Sequence, residues 1–315
     1  MKTLVVALLA FGCAAAVAEE QTYAEKLGWP KGSKVVIFHV DDAGMHHDAN
    51  VGAIEAMEKG VATSASIMFP CPWVPDIVKY AKAHPESDFG LHCTLTSEWG
   101  GYRWGPVAGK AAVPGLVDEE GCLWPEVEQV AAKATPDEVE KELRAQLDRC
   151  LTMGWKPTHL DSHMGTVFAS QAFLERYVMI GAEHGIPVMV MGGHGQFIKQ
   201  ETPEVADQIG ILGQMVWALG LPVLDDLHTG YGAGGAENKK AQIIEFLRTM
   251  QPGLTQFIVH ATRPSDNFKE VTGSGPMRLA ELEALTSPEV KKVIEEEGII
   301  LTTWRELKQR RDAAK

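Results

Sequence analysis

The sequence predicts an α/β fold of the TIM-like (β/α) barrel kind with seven or eight parallel strands, and three observations carry that expectation. Short apolar stretches of strand length alternate with helical patterns along the chain, the order that produces parallel pairing with crossover connections. Seven or eight such units favour a closed barrel over an open, doubly wound sheet. No G-x-G-x-x-G opens a helix after the first apolar stretch, so the usual mark of a dinucleotide site is missing.

The chain begins with Lys2, an apolar run from Leu4 to Ala18 and the small residues Ala16-Val17-Ala18 before Glu19-Glu20. This is the pattern of a secretory signal peptide over residues 1–18, too short to remain as a membrane span, and it predicts export to the periplasm or beyond the cell. Residues 19–315 are then expected to form a single domain, within the size that one α/β barrel reaches. Strands are predicted at 34–40, 63–68, 89–95, 157–161, 186–191, 221–224, 254–260 and 298–302. Helices are predicted at 50–59, 73–83, 136–153, 170–184, 236–250 and 287–297, several of them preceded by a capping or turn residue. The segment 100–126, rich in Gly, Trp and Pro, is too long for a plain turn. Its aromatic content argues for an ordered, functional loop.

Composition narrows the partners. Cleavage after Ala18 removes Lys2 and takes the formal charge from −13 to −14, which disfavours nucleic acid and anionic membranes. A small, neutral partner is expected, and a homodimer is left open. The remaining cysteines, Cys71, Cys93, Cys122 and Cys150, form no C-x-x-C pair, so a thiolate zinc site is not expected and free, buried thiols are.

The candidate chemistry lies at strand ends. In "KVVIFHVDDAGMHHDAN" strand alternation puts Val35, Ile37, His39 and Asp41 on one face and Val36, Phe38, Val40 and Asp42 on the other. The two aspartates can converge only if the strand ends there and the backbone turns. Active sites of α/β barrels lie at the carboxyl ends of the strands, and a cation would remove the repulsion within the pair. The plainer reading has one aspartate capping the next helix and the other solvated. "FGLHCTLTSEW" places His92, Thr94 and Thr96 on one face, "PTHLDSHMG" does the same for His159, Asp161 and His163, and "FIVHATR" ends a further strand at His260. An aspartate with two histidines and open positions suits a mononuclear site for zinc or another divalent ion.

Taken in order, "HVDDAGMHHDANVGAIEAMEKGVATSASIM", "FGLHCTLT", "KPTHLDSHMGTVF", "GLTQFIVHATRPSD" and the closing "RLAELEALTSPEVKKVIEEEGIILTTW" resemble the YdjC-like carbohydrate deacetylase family, of the chitooligosaccharide deacetylase type. The resemblance covers nearly all of residues 19–315. It implies a barrel of the sugar-deacetylase kind and hydrolysis of an N-acetyl or O-acetyl group on a small acetylated oligosaccharide. It also implies one divalent metal ion, Mg2+ or Zn2+, held by Asp42, His92 and His163, with Asp41 as general base. The sequence departs from the family pattern at His39-Val40 and Ala43 around the aspartates, at Met164-Gly165 and at Ala261-Thr262. All three departures flank the expected sugar pocket and spare the metal set.

The chemistry also stands without the family name. A metal-activated water needs a base, here Asp41, and the leaving group needs an acid, for which His260 is the candidate. His159 and Asp161 are expected to orient His163 or the base. Trp99, Tyr102, Arg103 and Trp104 either form a sugar-stacking platform or pin the long loop. Two alternatives belong to other classes: a glycoside hydrolase, needing two carboxylates about 5 to 9.5 Å apart, and an inactive sugar-binding protein, which would have no use for Asp41.

Overall fold

The structure is a computed structural model that describes residues 21–201, 203–229 and 235–314. The expected signal peptide, residues 1–18, lies outside the described residues.

Among the described residues there are seven strands: β1 Lys34–Ala43, β2 Ser64–Ile67, β3 Phe89–Cys93, β4 Leu160–Ser162, β5 Asp226–His228, β6 Gly253–Val259 and β7 Ile300–Leu301. Six follow the order β4-β3-β2-β1-β6-β5 in one curled sheet, and β7 pairs with the first half of β1. Every pairing is parallel, as the alternation of strands and helices predicts.

Two expected strands fall short. The stretch 186–191 makes single bridges only, Leu160↔Val188 and Met191↔Leu224, and the strand expected at 221–224 is displaced to Asp226–His228. Pro187 and Pro222 have no N–H to give, so neither ladder can extend toward the amino side of its bridge. Backbone bonds still run through this region, from Leu160 N to Pro187 O (2.8 Å), Met189 N to Leu160 O (2.9 Å) and Leu224 N to Val190 O (3.0 Å).

The six expected helices are present with small shifts at their ends: His47–Glu58, Val74–Ala83, Pro136–Thr152, Gln171–His184, Lys239–Thr249 and Pro288–Glu296. Thr135 and Glu138 form a reciprocal capping box at the head of Pro136–Thr152, and the Ser170 and Ser287 side chains accept from the first turns of their helices. The pattern missed Ala206–Ala218, which is apolar over most of its surface and interrupted by Gly210 and Gly213. These glycines let it approach another backbone: a Cβ on Gly213 would lie 2.9 Å from the Met191 carbonyl oxygen. None of the described helices is long and apolar enough to cross a membrane.

Alternation along β1 sets up the interior. Val36, Phe38 and Val40 point outward into the layer of helices, packing with residues such as Ala53, Ile77 and Leu285. Val35 and Ile37 point inward and share a second apolar cluster with Leu254, Trp29 and Trp304, which plugs the amino end of the sheet. Burying one such side chain contributes roughly 1.5–3 kcal/mol. Two and four residues on, the same inward row carries His39 and Asp41, both buried. The interior therefore changes from apolar to ionisable along the strand, and the site is confined to the carboxyl end.

The segment 100–126 is ordered. Its short 3-10 turn Pro114–Leu116 and the bridge Val117↔Leu123 place Val113, Leu116 and Leu123 in the core. Glu142, buried in Pro136–Thr152, accepts from Val107 N (2.9 Å) and Ala108 N (2.8 Å) and anchors the loop from beneath.

Candidate active site

The adjacent aspartates converge, though not in the predicted way. β1 does not end at Asp41; it continues to Ala43, and its register with β2 shifts between Val40 and Ala43 by one extra residue. Asp42 is that irregularity. Its φ of 69° is left-handed, a conformation that aspartate tolerates better than most residues, and the bulge brings its side chain round to the face that Asp41 already occupies.

Asp42 is buried and its two oxygens have separate environments. Oδ2 accepts from Arg278 Nη2 at 2.7 Å. Oδ1 has no hydrogen bond and lies 3.5 Å from His92 Nε2 and 3.4 Å from His163 Nδ1. Burial would raise the pKa of this carboxyl, but Arg278, His163 and His92 together hold it well below the ordinary carboxylate range. Asp42 is therefore an anion facing two imidazoles across a gap.

Each imidazole is gripped from behind. His92 Nδ1 donates to Asp161 Oδ1 (2.7 Å), and His163 Nε2 donates to Glu98 Oε2 (3.0 Å). Burial acts to lower both histidines. The surrounding carboxylates override it, pushing His163 up to about 9 and His92 well above its usual value. Asp161 is shared, since its Oδ2 accepts from His39 Nε2 at 2.8 Å. His39 in turn lies 3.2 Å from Asp41 Oδ1, out of line for a hydrogen bond, and contacts the hydroxyls of Ser64 (3.0 Å) and Ser66 (3.1 Å). Burial pulls His39 down, yet Asp161 and Asp41 raise it to about 9.

Among the described residues three groups could hold a metal ion: Asp42 with His92 and His163, His39 with His159 and Asp161, and Asp41 with His92 and Asp161. Spacing separates them. Ligand atoms about 2.0–2.2 Å from one ion stand roughly 3 Å or more from each other. In the second and third groups a pair is already closed at hydrogen-bond distance, His39–Asp161 at 2.8 Å and His92–Asp161 at 2.7 Å. In the first, the imidazole nitrogens stand off an unsatisfied buried oxygen at 3.4 and 3.5 Å. Asp42, His92 and His163 are therefore the group whose spacing leaves room for a metal ion.

Other expected residues are placed differently. Asp161 reaches His92 and His39, and through them Asp41, which lies 3.2 Å from His39 and 3.8 Å from His92; it is not hydrogen-bonded to His163, whose partner is Glu98. His159 lies deeper, stacked on Trp304 with ring centroids 5.2 Å apart, and burial lowers its pKa. Its ring fills the space beside Gly90, where a Cβ would come within 2.3 Å of Nε2, so β3 needs glycine there. His260 follows β6, its main-chain N–H donating to Glu281 Oε2 at 2.6 Å. Burial, the largest influence, lowers its pKa against the pull of Asp42. Of the four loop residues, three are pins. Trp104 Nε1 donates to Thr96 O (3.0 Å), Arg103 Nη2 donates to Asp118 Oδ2 and Leu123 O (2.7 Å each), and the Tyr102 hydroxyl donates to Met45 O. Trp99 stacks edge-on against Trp104 and lies 5.8 Å beneath the Arg278 guanidinium. Cys71, Cys93 and Cys150 are free and buried; Cys122 is free and half-buried.

Sequence reading missed Glu98 and Arg278. The period-two count that put His92, Thr94 and Thr96 on one face reaches Glu98 at its next step, so a signal was present. Arg278 begins the "RLAELEALTSPEV" stretch, but nothing local ties it to an aspartate 236 positions away.

The family described as YdjC-like protein matches residues 35–296. A carbohydrate deacetylase of Brevibacillus brevis is 30% identical over 86% of this chain and 99% of its own length. One from Thermus thermophilus is 29% identical over 90% and 97%. A chitooligosaccharide deacetylase of Serratia marcescens is 28% identical over 87% and 99%. Among solved structures, an Enterococcus faecalis protein provisionally named for cellobiose-phosphate cleavage matches with a TM-score of 0.74 at 25% identity, covering 87% of this chain and 99% of that one.

Proposed function

The chain belongs to the YdjC-like protein family, and from that premise we infer that it is a carbohydrate deacetylase, a hydrolase that removes acetyl groups from sugars. The observation that carries this reading is the buried, unsatisfied Asp42 oxygen facing His92 and His163, with Asp41 beside it at the carboxyl end of β1. We read the sheet as closing into a barrel through the backbone bonds of residues 187–191 and 224, and residues 19–315 as one catalytic domain. The leader pattern supports action outside the cytoplasm, the deacetylase relatives support a small acetylated oligosaccharide as substrate, and we leave a homodimer open.

In this reading Asp42, His92 and His163 hold one divalent ion, Zn2+ or Mg2+. When bound, it polarises the acetyl carbonyl and makes a water more acidic. Asp41 takes the proton of the attacking water. Its Oδ1 is close to His39 without a formed hydrogen bond, which leaves a lone pair for that proton. His39, locked by Asp161 and two serine hydroxyls, holds the base in place. Arg278 keeps Asp42 ionised through the oxygen that faces away from the histidines. His260 gives a proton to the departing amine or alkoxide as the acetyl bond breaks. Its burial-lowered pKa makes its protonated form a strong donor. The products are acetate and the free amino or hydroxyl sugar.

The test is product analysis on N-acetylated and O-acetylated oligosaccharides. Free acetate with the chain length unchanged is the expected result. Shortened oligosaccharides without acetate would transfer the site to glycoside hydrolysis, the reaction class suggested by the name of the Enterococcus faecalis neighbour.

A further inference from the structure

Glu98 was not among the candidate residues, yet it is the sole carboxylate hydrogen-bonded to His163 among the described residues. It lies in the stretch that leaves β3, held by Ser97, whose hydroxyl accepts from Trp104 N at 3.0 Å and whose main-chain N–H donates to Trp124 O at 2.9 Å. An ionised carboxylate only accepts, so the hydrogen of the neutral His163 ring must sit on Nε2, 3.0 Å from Glu98 Oε2. The lone pair is then on Nδ1, the atom 3.4 Å from Asp42 Oδ1. His92 is arranged the other way round, with Nδ1 on Asp161 at 2.7 Å and Nε2 facing Asp42 at 3.5 Å. The two histidines thus present opposite nitrogens to one point, and each has a carboxylate behind the nitrogen that faces away.

We propose that Glu98 is a positioning residue that fixes the His163 tautomer and ring plane so that Nδ1, and not Nε2, faces the metal position, and that it thereby sets the affinity for the ion. The proposal rests on the reading of Asp42, His92 and His163 as ligands. A carboxylate behind a ligand imidazole typically contributes 10- to 100-fold in metal affinity. Glu98 should act more narrowly than Asp161, which also holds His39.

The test measures Zn2+ affinity of the full chain by chelator competition, together with the visible absorption of the Co2+-loaded protein. Glu98→Ala should weaken Zn2+ binding by about 10- to 100-fold and alter the Co2+ spectrum. Glu98→Gln should fall between it and wild type, because the amide oxygen still accepts from Nε2–H but carries no charge. Melting of the metal-free proteins separates this from a packing role, which would lower the transition without changing affinity in the folded fraction. Glu98→Gln carries the test if Glu98→Ala does not fold. His163→Ala tells the two readings apart. If it loses Zn2+ while both Glu98 variants bind as tightly as wild type with an unchanged spectrum, the positioning role is wrong. If His163→Ala itself keeps full affinity, the ligand reading fails first.

Discussion

Asp161 and Asp225 are both buried, and each accepts from an imidazole at 2.7–2.8 Å, His92 and His39 for the first and His194 for the second. Their remaining partners differ. Among the described residues the polar partners of the Asp161 side chain, in β4, are all side chains, two imidazoles hydrogen-bonded and a third, His159, at 3.8 Å. Asp225, just before β5, collects main-chain N–H groups: Tyr23 (2.6 Å), Ala24 (2.9 Å) and Leu254 (2.8 Å). Backbone donors neither titrate nor bind a cation, so Asp225 fastens the short helix Tyr23–Lys26 to the edge of the sheet. Imidazoles do both, so Asp161 sits within a cluster that could hold a metal ion. One residue pair, Asp with His, thus serves two purposes, and the second ring of partners decides which.

The sharpest test of this contrast removes the imidazoles from the Asp161 side. His92→Ala and His163→Ala should each lose a tightly held divalent ion and bring deacetylation below detection. Circular dichroism should show the fold retained, because the apolar plug of Val35, Ile37 and Trp304 lies outside the site. Full metal content in both variants, measured by elemental analysis, would sink the assignment.

A step smaller, Asp41→Asn should lower turnover by about 10²- to 10⁴-fold while the metal stays bound, as expected for loss of a base. Asp42→Asn should instead weaken metal binding, since an amide is the poorer ligand for a divalent ion. The reverse pattern would exchange the roles of the two aspartates.

On the other side of the comparison, Asp225→Ala should leave the turnover of folded protein unchanged and act on stability. Each buried N–H stripped of its acceptor costs roughly 1–3 kcal/mol, and at this chain length each kcal/mol moves the melting temperature by about 2–4 °C. A drop of several degrees with normal activity is expected. Lost activity in fully folded protein would mean that this edge takes part in the chemistry.

The smallest effect belongs to His194, whose side chain is 45% exposed. The hydrogen bond to Asp225 raises its pKa above the usual value despite some burial. Since the folded value exceeds the unfolded value near 6.5, the stabilisation is complete below that pH and fades as pH rises through the folded value. The melting difference between wild type and His194→Ala should therefore be larger at pH 6 than at pH 9, and modest at both because solvent screens the pair. A difference independent of pH would mean that the ring acts by packing on Tyr23, 6.0 Å away, and not by charge.

The sequence alone determined the features written in neighbouring residues. Period-two alternation put Val35, Ile37, His39 and Asp41 on one inward row, and the helix patterns and caps located six helices to within a few residues. Polar residues at successive strand ends pointed to Asp41, Asp42, His92, His159, Asp161, His163 and His260 as candidates, and the family resemblance chose Asp42, His92 and His163 among them as the metal set. Tertiary structure alone decided how these side chains meet. Asp42 faces its partners because β1 slips by one residue against β2, and a bulge is a property of two strands. The strands around 186–191 and 221–224 were shortened where prolines met a ladder whose neighbour the sequence does not name. Glu98, and neither Asp161 nor His159, is hydrogen-bonded to His163, and Arg278 comes to Asp42 from 236 positions away. Hydrogen-bond partners of that kind depend on the curl of the sheet, which brings remote strand ends to one point, and no local pattern encodes that distance.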